Sequence, residues 1–196
     1  MIQIRKGMFE TNSSSVHALI ISKEQTQGPY RTLYISHGEW GWEHAKYSSP
    51  DKKISYLCQA IYGSFWKGDH AEITDERKKA IDDFLSTLRE IGIECIIDEN
   101  YFDDFDKKGS WGEEGYVDHG DTITKQYRRR DDGGYDFKYN GEGTILNELS
   151  RNKDMLLRYI YGNSVIVTTN DNSDVTVEDI YGHIDEDKFD VLTKYN

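Results

Sequence analysis

Thr11-Asn12-Ser13-Ser14-Ser15 sets five consecutive small polar side chains between the basic pair Arg5-Lys6 and His17, and the apolar run Ala18 to Ile21 follows at once. Ser, Thr and Asn side chains hydrogen-bond to nearby backbone and favour turns and caps over regular ladders. The segment therefore predicts a loop that feeds a buried strand. Its hydroxyls and backbone N–H groups, with Arg5, Lys6 and His17 beside them, form a cradle suited to phosphate or another oxyanion. The alternative is an Asx/Ser turn that does no more than start the strand.

Two further clusters carry side chains of this kind. His37-Gly38-Glu39-Trp40-Gly41-Trp42-Glu43-His44 projects two indoles and two carboxylates from a short loop in which two glycines let the backbone turn. Trp is usually anchored in a core, so the loop either plugs one end of the domain or offers Trp40 and Trp42 as a platform for a ligand ring. His37, Glu39, Glu43 and His44 are metal-ligand types, yet their spacing matches no strong motif, and no metal or cofactor is expected. Thr169-Asn170-Asp171-Asn172-Ser173-Asp174 ends a β-branched run with side chains suited to reading a small polar ligand or holding a divalent cation. It lacks the length and terminal Glu of an EF-hand loop, and a plain Asn/Asp turn is the preferred reading of it. Arg128-Arg129-Arg130, the densest basic run, can grip phosphate; beside Asp131 and Asp132 it also reads as a solvated turn.

These clusters need elements to hold them. Val16 to Ser22 and Thr32 to Ser36 read as strands separated by a turn at Gly28-Pro29, a pair able to form a long-looped hairpin. Ser49-Pro50-Asp51 marks a helix start, and Ile54, Leu57, Cys58, Ile61, Tyr62 and Phe65 follow at the spacing of one helix face. A second helix runs from Thr74 to about Gly92 on a stripe of Ala80, Ile81, Phe84, Leu85, Leu88 and Ile91. Ile93 to Asp98 reads as a strand. Between Tyr101 and Gly143 the composition turns to Gly, Asp and Tyr, which predicts an insertion: a mobile lid or, preferred here, a protruding hairpin of Thr122 to Arg129 and Tyr135 to Tyr139 closed around Asp131-Asp132-Gly133-Gly134. Thr144 to Tyr161 is helical, with Asn152 capping its second half and Gly162 ending it; Ser164 to Thr168 is a strand, Val177 to Tyr181 a helical turn, and Phe189, Val191 and Leu192 an edge strand.

Length and composition bound the rest. A chain of 196 residues with 36% hydrophobic and 13% aromatic residues is globular and predicts one domain over 1–196, with 101–143 inserted in it. The expected fold class is α+β, a mixed or antiparallel sheet of about five strands against three helices. A net charge of −12 repels nucleic acid and anionic membranes, so neither general nucleic-acid binding nor a membrane partner is expected. Cys58 and Cys95 are far apart in apolar runs and read as core thiols, and the N-terminus carries no hydrophobic signal core, which makes a cytoplasmic location the expectation. A homo-oligomer is compatible with all of this.

The blocks Arg5 to Leu19, Gly38-Glu39-Trp40-Gly41-Trp42-Glu43, Lys53-Ile54-Ser55-Tyr56-Leu57 and Thr169-Asn170-Asp171-Asn172-Ser173 resemble, in content and order, a family of small proteins from phages and prophage-bearing Firmicutes. Members more often show Thr where Val16 stands and Phe where Trp40 stands; Val16 removes one hydroxyl from the cradle. The resemblance implies a phage-type accessory context, including proteins that counter host defence.

Three function classes follow. The first is a module that sequesters a small phosphorylated, nucleotide-like molecule, with Arg5, Asn12, Ser13, Ser14, Ser15 and His17 on the anion, Trp40 and Trp42 on the base, and Asn170, Asp171 and Asn172 on sugar or base edges. The second is a hydrolase cleaving such a molecule, with His17, Glu10 and Asp171 as acid, base and metal ligand. The third is an acidic inhibitor that binds protein by mimicking nucleic acid. Sequestration needs no tuned acid or base, and none is evident in the sequence, so the non-enzymatic reading is preferred.

Overall fold

The computed structural model describes residues 15–26, 31–65, 75–98, 101, 117, 120–170 and 175–194. The architecture is α+β, and its centre is strand β1 (His17–Ser22), which is buried along its whole length. A strand covered on both faces reads as a near-continuous apolar run, as Ala-Leu-Ile-Ile does here. Both edges of β1 are occupied by antiparallel partners. Strand β7 (Val165–Thr168) sets Ile166 opposite Leu19, strand β8 (Phe189–Lys194) sets Leu192 opposite the same residue, and β3 (Ala45–Tyr47) pairs antiparallel with β7. The order is β3-β7-β1-β8, with β8 at the edge as its short apolar pattern implies.

With both edges of β1 taken, β2 (Leu33–Ile35) does not form a hairpin with it. It runs parallel to β4 (Cys95–Ile97) in a sheet of its own, joined by the helical crossover that parallel strands require. The expected single sheet of about five strands is thus a four-stranded antiparallel sheet with two two-stranded sheets beside it.

Helix α1 (Pro50–Gly63) starts as its sequence predicts, with Ser49 accepting the Lys52 N–H and Pro50 in the first turn. Ten consecutive residues, Lys53 to Tyr62, are buried, so the helix is wrapped on every side and not on one face only. Its polar groups find partners inside. Ser55 accepts the Ser36 N–H, and Lys53 Nζ donates to the Ile160 and Gly162 carbonyls, each at 3.2 Å. Helix α2 (Asp75–Glu90) ends where Gly92 takes φ +82° and Ile93 N–H returns to the Leu88 carbonyl. The third helical stretch is two helices, α4 (Ile145–Arg151) and α5 (Lys153–Tyr161), parted at Asn152, whose side chain caps α5 by accepting the Met155 N–H. Arg158 on α5 reaches the Ser22 carbonyl, Asp154 and Asp190, tying the helix to β1 and β8.

The insertion carries the expected hairpin, β5 (Lys125–Arg129) with β6 (Tyr135–Tyr139), preceded by a helical turn α3 (Asp121–Thr124) where an earlier strand start was predicted. Arg130 pairs with Asp132 and Asp136 across its solvated turn. A short helix α6 (Val177–Tyr181), closed by a Thr176/Asp179 capping box, precedes β8. Among the described residues no helix is long and apolar enough to cross a membrane. The Gly28-Pro29 turn, the expected helix start at Thr74 and most of 102–119 lie outside the described residues.

Candidate functional site

The antiparallel order puts the start of β1, the end of β7 and the start of β3 at one end of the central sheet. His17 and Ala45 both lie opposite Thr168. The described residues at or next to the three polar clusters, Val16, Trp42 to His44 and Thr169-Asn170, lie at these points and are bonded to one another. Val16 N–H donates to Thr169 Oγ1 at 2.9 Å, and Thr169 N–H to the Val16 carbonyl at 2.9 Å. Thr168 Oγ1 donates to the Glu43 carbonyl at 3.0 Å. Asn170 closes the third side, its N–H on His44 Nδ1 at 3.1 Å and its side-chain amide on the Trp42 carbonyl at 2.5 Å.

Beneath these loops lies an aromatic floor. Ser15 and His17 are 2% and 0% exposed. The His17 ring is held on both sides, with Nδ1 2.9 Å from the Tyr56 hydroxyl and Nε2 3.1 Å from Ser15 Oγ. Burial raises the Tyr56 pKa well above the usual tyrosine range and keeps the hydroxyl protonated. A proton assignment with Tyr56 donating to Nδ1 and Nε2–H donating to Ser15 satisfies both contacts. Trp40, 1% exposed, meets Tyr56 edge-on with centroids 5.8 Å apart and Tyr47 at 6.3 Å. Trp42, two residues on, is 52% exposed.

This geometry reassigns two residues. His17 offers neither ring nitrogen to an anion, because Ser15 and Tyr56 occupy them, and Trp40 offers no open face to a base. Both belong to the floor. The alternatives weighed for the Trp loop are divided between its two indoles, Trp40 plugging the core and Trp42 facing solvent with the half-buried Asn170 beside its carbonyl. Arg5, Asn12, Ser13, Ser14, Asp171 and Asn172 lie outside the described residues.

Tyr56 is the member that sequence reasoning missed. It stands in a helix read as plain core, and only the tertiary fold brings it between His17 and Trp40. Tyr56→Phe is expected to cost about 1–3 kcal/mol, because it leaves a buried ring nitrogen unpaired; urea denaturation of the two proteins measures it.

The remaining candidates are dispersed. His37 turns inward, Nε2 3.0 Å from the Tyr101 carbonyl and Nδ1 3.0 Å from the Gln59 amide oxygen, with its ring stacked on Tyr101 at 4.1 Å. Arg77, which is fully buried, lies over the Tyr62 ring at 4.3 Å in the same aromatic cluster. Among the described residues no group of three or more His, Cys, Asp and Glu side chains is placed to hold a metal ion. Cys58 and Cys95 are free thiols, the first fully buried; burial raises both, Cys95 to about 11, so neither is a thiolate near neutrality.

In comparisons with known proteins, the chain matches no family model, no curated protein and no solved structure.

Proposed function

We propose that this protein sequesters a small phosphorylated, nucleotide-like molecule at the loop-bearing end of its central sheet, as an accessory, anti-defence factor of the phage type that the sequence resemblance implies. One observation carries the reading: Val16, Trp42 and Thr169-Asn170, the described residues at or beside the three polar clusters, come together there through the Val16–Thr169 and Asn170–Trp42 hydrogen bonds above an aromatic floor. Loops held by a rigid sheet are where binding residues concentrate. In this reading the Trp42 indole stacks on the base and Asn170 reads a polar edge. The hydroxyls of 11–15 and the cations Arg5 and Lys6, all N-terminal to β1 in the sequence, take the phosphate. Capture requires no acid or base, so no residue is assigned a catalytic role.

Mass analysis of small molecules released on heating the purified protein tests this. An intact nucleotide supports capture, a cleaved product replaces it with hydrolysis, and the absence of any small molecule favours a protein-binding inhibitor. Trp42→Ala is expected to weaken binding of the released nucleotide about 5- to 150-fold, the worth of one base–aromatic stack, in a calorimetric titration.

A further inference from the structure

Among the described residues strand β6 has β5 as its one strand neighbour and no strand on its other edge. The hairpin's own hydrogen bonds decide what that edge presents. Arg130 N–H donates to the Gly134 carbonyl at 2.8 Å and Asn140 N–H to the Thr124 carbonyl at 2.6 Å. Narrow and wide pairs alternate along an antiparallel ladder, so Gln126 with Lys138 and Arg128 with Asp136 are the bonded pairs between those two contacts. Tyr135, Phe137 and Tyr139 therefore turn their N–H and C=O groups away from β5. A row of outward backbone groups is a template for another strand. It also coincides with the exposed aromatics of the hairpin, Tyr127 at 42%, Tyr135 at 62% and Phe137 at 60%.

We propose that two copies of this chain associate through that edge, β6 pairing antiparallel with β6 of the partner subunit about a two-fold axis at Phe137, so that the hairpins join into one four-stranded sheet. The occupant is chosen by the strand's own chemistry, since Tyr135-Asp136-Phe137-Lys138-Tyr139 is self-complementary when reversed. In this register Tyr135 meets the partner's Tyr139, Phe137 meets the partner's Phe137, and Asp136 meets the partner's Lys138 twice by symmetry. Outward backbone groups meet outward groups, so all three aromatic residues exchange N–H···O=C bonds with their opposites. Cross-strand aromatic pairs and opposite charges each stabilise a sheet, and like charges directly opposite destabilise it.

The neighbouring registers fail. A slip of two residues one way sets Asp136 against the partner's Asp136, and the other way Lys138 against the partner's Lys138. A slip of one residue matches outward groups to groups already bonded to β5. Self-pairing of the other strand is excluded on the same ground, because pairing β5 about Tyr127 sets Lys125 against the partner's Arg129. The hairpin also suits a meeting of two acidic molecules: it bears five cations, Lys125, Arg128, Arg129, Arg130 and Lys138, against Asp131, Asp132 and Asp136, in a chain of net charge −12.

Sedimentation equilibrium over a dilution series of the full chain tests the proposal. The wild type is expected at twice its 22.8 kDa chain mass at high concentration and to dissociate on dilution. Lys138→Asp and Asp136→Lys each place like charges opposite one another at both symmetric positions and raise the dissociation midpoint at least about tenfold. Both side chains are exposed, so circular dichroism should report an unchanged fold. An equimolar mixture of the two variants restores the dimer, because every Lys then faces an Asp of the other chain. A wild type that stays monomeric up to its solubility limit, a dimer indifferent to both single variants, or a mixture that fails to recover would overturn the proposal.

Discussion

Trp40→Ala is expected to remove about 3–5 kcal/mol of stability, the cost of deleting a large aromatic from a packed core. The indole is 1% exposed and sits between Tyr47 and Tyr56, and it packs so closely on the chain before it that a Cβ at Gly38 would lie 2.5 Å from its Cη2. A whole domain is stable by only about 5–15 kcal/mol, and each kcal/mol moves the melting temperature of a chain this size by about 2–4 °C. Thermal denaturation should show a drop of about 6–20 °C. Trp42→Ala, at an exposed position, should stay within about 0.5 kcal/mol of the wild type. Trp40 Nε1 is buried with no hydrogen-bond partner among the described residues, so Trp40→Phe loses area but no hydrogen bond and should cost well under the alanine value. A ligand affinity lost in Trp42→Ala at constant melting temperature would separate the solvent-facing indole from the structural one.

The second large effect belongs to Lys53. Its ammonium is fully buried, bonded to two carbonyls at the end of α5, and desolvation lowers its pKa from the ordinary 10.5 to about 8. Folding therefore disfavours the charged form. The penalty is complete below pH 8 and is relieved as pH rises toward 10.5, where the unfolded chain still holds the proton that the folded one has lost. Between pH 7 and 9.5 this amounts to about 2 kcal/mol in favour of the folded state. The raised pKa values of Cys58 and Cys95 act in the opposite sense, since the folded state then keeps protons that the unfolded chain gives up. The measurement is accordingly a difference: urea denaturation of wild type and Lys53→Met across this range should show the wild type gaining about 2 kcal/mol relative to the variant. A constant difference would mean that Lys53 keeps its ordinary pKa inside the protein.

Elements with strong local signals were legible in the sequence. The Ser49-Pro50 start of α1, the stop at Gly92, the cap at Asn152 and the hairpin around Gly133-Gly134 all stand where their residues place them, because caps, left-handed glycines and tight turns are decided within a few residues. Pairing was not legible. The alternation in β1 and β2 is compatible with a hairpin, and only the presence of β7 and β8 on both edges of β1 excludes it. Burial on all sides of α1 was hidden for a related reason: Lys53, Ser55 and Gln59 read as a polar face until partners distant in the chain satisfy them. At the candidate site the described residues flanking the clusters, Val16, Trp42 and Asn170, share one end of the sheet, yet the sequence could not tell floor from rim. Trp40 and Trp42 are alike in the sequence and opposite in exposure. His17 reads as an anion contact only while Tyr56 is unseen.

The central position of β1 bears on how the protein is made. This strand leaves the ribosome well before the two strands that flank it, which begin at Val165 and Phe189. Leu19, Ile20 and Ile21 must therefore wait with neither edge covered until the chain beyond Val165 has emerged, an arrangement of distant partners that slows folding and exposes apolar chain to aggregation. A nascent chain halted before residue 165 would hold its central strand without a neighbour on either side, and during that interval a chaperone would find its natural substrate in this chain.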